Sequence, residues 1–95
     1  MAFKILYTEE ALSDLEATFD YIRADNPAAA GRFGNALLNH VELLANFPHI
    51  GSPVDQRPGV RKILHTPIRI YYRIDEERGA VEILHFWHGA RQEPA

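Results

Sequence analysis

The residues best suited to chemistry are five cations, Arg61, Lys62, Arg69, Arg73 and Arg91, with Tyr71, Trp87 and His88 among them, all in the last third of a 95-residue chain. Guanidinium and ammonium groups gathered on one surface hold anions. An arginine fork matches two oxygens of a carboxylate or phosphate, and neighbouring aromatic rings add stacking area. Arg61 and Lys62 are adjacent, so on a strand only one of them shares a face with Arg69 and Arg73. The plainer reading is a solvent-exposed sheet face that uses charge for solubility. Trp87 weighs against that reading, because an exposed indole generally belongs to an interface.

Other chemistries find less support. His40, His49, His65, His85 and His88 show no i, i+4 pair on an expected helix, no HExxH and no cysteine partner, so their spacing predicts no metal site. His85 and His88 lie an odd number of residues apart and point to opposite faces of a strand. Ser13 and Ser52 lie in no nucleophile motif. Glu9/Glu10 and Glu76/Glu77 fall at a helix start and in a turn, where solvated charge is the ordinary explanation. No GxGxxG or Walker pattern occurs, and no cofactor is expected.

The elements that position the cationic residues follow from periodicity. Residues 2–7 read as a short strand. Thr8 caps a helix over 8–25, with Glu9 and Glu10 in its first turn and Ala11, Leu12, Leu15, Phe19 and Ile22 as its apolar stripe. Asn26-Pro27 stops that helix and starts the next, which spans about 27–46 along Ala30, Phe33, Leu37, Val41, Leu44 and Phe47. Two amphipathic helices joined so tightly pack as a helical hairpin. Gly31 and Gly34 weaken the second helix unless they allow a close approach. A punctuated loop over 48–59 precedes three strands, 60–65, 68–74 and 80–88. In the middle one Ile68, Ile70, Tyr72 and Ile74 alternate with Arg69, Tyr71 and Arg73, so the aliphatic face covers the helices and the arginine face looks outward. The order β-α-α-β-β-β predicts a single α+β domain over 1–95, a helical hairpin packed on one face of a mainly antiparallel four-stranded sheet.

Composition sets limits on partners. The net charge is −3, but residues 1–55 carry three Lys/Arg against eight Asp/Glu, and residues 56–95 carry seven against five. That asymmetry predicts a patch for an acidic partner rather than a protein that grips nucleic acid overall. No apolar run approaches the roughly 20 residues of a membrane span. No signal-peptide pattern opens the chain, and the absence of cysteine suits a reducing compartment, so a cytoplasmic location is expected.

With these residues in view, the chain resembles the RelE/ParE superfamily of bacterial type II toxins. The resemblance is carried by Asn26-Pro27-Ala28-Ala29, Leu44-Ala45-Asn46-Phe47-Pro48-His49-Ile50-Gly51, Gly59-Val60-Arg61-Lys62-Ile63, Tyr72-Arg73-Ile74-Asp75 and His88-Gly89-Ala90-Arg91, in order along the whole chain. It implies a toxin held inactive by a cognate antitoxin, with Arg61, Lys62, Arg69, Arg73, Trp87, His88 and Arg91 serving the antitoxin or the target. It also implies one of two targets. A RelE-like member cuts mRNA on the ribosome, and Lys62, Arg69 and Arg91 would then stabilise the transition state with His88 as proton carrier. A ParE-like member, of the plasmid-stabilisation type, inhibits DNA gyrase and has no catalytic residue. Val60 stands where a RelE site has a second lysine, no tyrosine follows Arg91, and the chain is net acidic. These departures favour the ParE-like expectation. A homodimer and a toxin–antitoxin heterotetramer are both left open.

Overall fold

The computed structural model describes residues 2–88, so Arg91 lies outside the described residues. The first strand, β1 (Lys4–Tyr7), leads through Thr8 into α1 (Glu9–Asp25). The Thr8 hydroxyl accepts from the Ala11 amide at 3.1 Å, and the same hydroxyl donates to the Ile83 carbonyl at 2.9 Å. One side chain therefore caps the helix and fixes its start against the sheet. Asn26 has an extended backbone, and its side chain accepts from the Ala29 amide at 3.1 Å. Followed by Pro27, it ends α1 and begins α2 (Pro27–Glu42). The last turn of that helical run tightens to a 3-10 turn, Leu43–Ala45. The two glycines of α2 differ. A methyl at Gly34 would run into the Phe19 ring of α1, whereas at Gly31 it would meet nothing within 4 Å. Close helix–helix approach thus accounts for Gly34 and not for Gly31.

The sheet has five strands in the order β1-β5-β4-β3-β2, with β1 parallel to β5 and the other pairs antiparallel. These are β2 (Ser52–Pro53), β3 (Val60–His65), β4 (Ile68–Asp75) and β5 (Ala80–His88). The expected four strands become five because Ser52 and Pro53 pair with Lys62 and Arg61. A two-residue strand inside a proline- and glycine-rich loop leaves no periodicity to read, and proline is tolerated there because the strand is an edge. The α+β class stands.

One face of the sheet carries the core. Ile68, Ile70, Tyr72, Val81, Ile83 and Phe86 pack with Ala11, Leu37, Val41 and Leu44 of the helical layer. Ile83 and Phe86 are an odd number of residues apart, which an unbroken strand would send to opposite faces. A register shift resolves this: Tyr71 pairs with His85 but Tyr72 pairs with Ile83, so Leu84 is the extra residue of a β-bulge. The bulge brings Phe86 back to the core and turns Trp87 outward.

The loop before β3 is held from beneath. The buried Tyr72 hydroxyl donates to the Pro48 carbonyl at 2.6 Å and accepts from the Gly51 amide at 2.9 Å. Arg61 donates to the Gly51 carbonyl at 2.6 Å. A Cβ at Gly51 would sit 2.8 Å from the Lys62 carbonyl oxygen, so only glycine fits under this clasp.

Candidate functional site

Register decides which cationic residues meet. Across β3, β4 and β5 the outer face reads in three rows: Leu64, Arg69, Trp87; then Lys62, Tyr71, His85; then Val60, Arg73, Glu82. Strands lie about 4.8 Å apart, so the side chains within a row are near neighbours. Lys62 and Arg69 line one pocket of about 220 Å³ together with Ser52, Ile63 and Leu64. Leu64 is 61% exposed, which gives this cationic pocket an apolar lip. Such a pocket suits an acidic group carried on a chain with apolar side chains of its own.

The other expected site residues are placed differently. Arg61 pairs with Tyr72, which puts it on the opposite face from Lys62, and its guanidinium is engaged with the 49–51 loop. Arg73 lies on the outer face but is paired with Glu82, its Nη2 3.1 Å from the carboxylate. Its charge is therefore already partly neutralised. Trp87 is on the outer face beside Arg69, and its ring meets His85 edge-on at 6.3 Å. His88 pairs with the core residue Ile68, on the opposite face from Lys62 and Arg69. There its ring lies 6.1 Å from Tyr21 of α1. Tyr71, expected on an open face, is only 1% exposed, although it lies outside the cluster that holds Tyr72.

Two polar arrangements escape sequence reading because their members are far apart in the chain. Asp14 of α1 accepts from the Phe86 amide at 3.2 Å and lies 3.1 Å from His85 Nδ1. It satisfies the edge of β5 beyond the end of β1, where no strand does. In sequence it is indistinguishable from the other acids on the helix's polar side. The second arrangement joins α2 to β3, where His40 Nδ1 and His65 Nδ1 are 2.9 Å apart. Burial, with His40 adding to it, lowers the pKa of His65 below the ordinary value. Burial likewise pushes the Tyr72 hydroxyl up, against smaller opposing effects from Gly51 and Arg61.

The helices thus pack on one face of the five-stranded sheet, and the pocket of Lys62 and Arg69 opens on the other. Among solved structures, that described as the chromosomal ParDE TA system from P. aeruginosa superposes with a TM-score of 0.79 at 23% identity, covering 92% of this chain and 96% of that one. The toxin-antitoxin complex RelBE2 from Mycobacterium tuberculosis gives 0.69 at 24% identity, over 96% and 95% of the two chains. The isolated E. coli RelE toxin gives 0.60 at 19% identity, over 97% and 89%. These likenesses establish the fold, which ParE- and RelE-named proteins share. No curated protein matches. A family model is more specific: that of the ParE toxin of type II toxin-antitoxin system, parDE, matches residues 5–93. The chain belongs to the ParE toxin family.

Proposed function

We propose that this chain acts as a ParE-like binding toxin, inhibiting DNA gyrase in the bacterial cytoplasm until a cognate antitoxin covers it. The observation that carries this reading is the split of the would-be nuclease residues across the sheet. Lys62 and Arg69 line one pocket on the outer face, while His88 is paired with Ile68 on the core face. General acid–base catalysis needs the proton carrier within about 3 Å of the reacting oxygen that the cations stabilise. A sheet lies between these partners. The same pocket serves well as an anion anchor, since docking asks only for charge and shape.

The antitoxin assigned to this face carries an acidic, partly apolar segment, complementary to Lys62, Arg69 and Leu64. This pairing is supported by the charge asymmetry of the chain and by the toxin–antitoxin complexes among its structural neighbours. The RelE-like alternative keeps one point in its favour, the shared pocket of Lys62 and Arg69. The two are separated by a translation reaction with ribosomes, scored for mRNA cleavage in the A site. The binding-toxin reading expects intact mRNA at toxin concentrations well above that of the ribosomes. Cleavage that is lost in Lys62→Ala and Arg69→Ala would replace it with the nuclease.

A further inference from the structure

We infer that His40 and His65 form a two-histidine clip for a borderline divalent transition ion (Zn²⁺, Cu²⁺ or Ni²⁺) that ties α2 to β3. The two residues come from different elements, 25 positions apart, and their Nδ1 atoms face each other at 2.9 Å. Two neutral imidazoles in this pose share one proton: one Nδ1–H donates and the other Nδ1 accepts. When the donating ring takes its other tautomer, with the proton on Nε2, both rings stay neutral and two Nδ1 lone pairs converge on one point, which is what a Lewis acid requires. Metal–nitrogen bonds of about 2.0–2.1 Å at a tetrahedral angle put the two nitrogens about 3.3–3.4 Å apart. The rings therefore need to open by only about 0.4–0.5 Å, a small rotation for two side chains that are each partly exposed.

The surroundings of the pair are largely apolar. The Phe33 ring meets His65 edge-on at 5.5 Å, an apolar wall on one side of the pair. The titratable group facing His65 from α2 is His40, and from β3 the group facing His40 is His65. Neither ring has a carboxylate or a cation in an ion pair among the described residues. No third His, Cys, Asp or Glu joins them among the described residues, so water takes the remaining positions. The affinity is accordingly weaker than that of a three- or four-ligand site, with Cu²⁺ bound more tightly than Ni²⁺ or Zn²⁺. An ion here would stiffen the end of β3, one residue from Leu64 in the candidate docking pocket.

The test is thermal unfolding of the full chain, carrying no polyhistidine tag, at pH 7.5 with Zn²⁺, Ni²⁺, Cu²⁺ or Mg²⁺, beside the Cu²⁺ electron paramagnetic resonance spectrum. The clip predicts a Tm rise of about 2–4 °C with saturating transition ion and none with Mg²⁺. It predicts superhyperfine coupling from two nitrogens, and loss of both signals at pH 5.5, where protons displace the ion. His40→Gln and His65→Gln remove the Tm rise, whereas His49→Gln, a change at an exposed histidine, keeps it. Three results would overturn the proposal: no Tm rise with any transition ion, a rise that survives His40→Gln/His65→Gln, or a one-nitrogen spectrum. If the variants do not fold, the wild-type spectrum and its pH dependence decide. An unchanged Tm together with an acid-labile His40–His65 contact would mean that the pair holds a shared proton only.

Discussion

At the scale of single residues, neighbours in sequence take different places in the fold. Arg61 and Lys62 look equivalent as letters, yet Arg61 clasps the 49–51 loop while Lys62 lines the outer pocket. Tyr71 and Tyr72 divide likewise, and the Tyr72 hydroxyl makes two of the bonds that hold the Pro48–Gly51 turn. Tyr72→Phe leaves a buried amide and carbonyl without that partner. Urea unfolding should show a loss of about 1–3 kcal/mol, with the docking face intact. His65 gives a pH signature. The unfolded chain protonates it near the ordinary 6.5 and the folded chain only at lower pH, because burial and His40 oppose the charge. Between those two values the unfolded state binds more protons, so stability falls as pH drops below about 6.5 and is unaffected by this group above it. Urea midpoints at pH 7.5 and 5.5 should differ less in His65→Gln than in wild type.

At the scale of elements, the helices were legible and the sheet only partly so. Thr8, Asn26-Pro27 and the apolar stripes carry local rules, and α1 and α2 begin where those rules place them. The inner and outer faces of β4 were equally readable from its alternation. What was not readable depends on partners distant in sequence: the two-residue β2, the bulge at Leu84, and the roles of Asp14 and Arg61. The bulge matters most for the candidate site, since it sets Trp87 on the side of Arg69 and leaves His88 on the other. The glycines of α2 give a test at this scale. Gly31→Ala meets open space and should stabilise the protein by about 0.5–1 kcal/mol through helix propensity. Gly34→Ala must displace Phe19 at the α1–α2 crossing and should destabilise it. Equal effects of the two changes, measured by denaturant unfolding, would mean that the crossing is looser than this contact implies.

At the scale of the whole molecule, an acidic protein presents a cationic pocket on the sheet face that its helices leave uncovered. Under the proposed docking, charge steers a segment of opposite sign to that face, and association should weaken as salt screens it. Charge reversal in Lys62→Glu/Arg69→Glu should raise the dissociation constant of the antitoxin complex at least tenfold. Arg61→Ala should act mainly through stability, since its guanidinium is spent on the loop. Membership of the ParE toxin family fixes the class of protein, and the proposed binding mechanism rests on the separation of Lys62 and Arg69 from His88. The most direct measurement is supercoiling by purified DNA gyrase across a toxin titration, with and without antitoxin. The account predicts dose-dependent loss of supercoiling that antitoxin relieves. Undiminished supercoiling at every toxin concentration, with the same preparation still arresting growth, would contradict it.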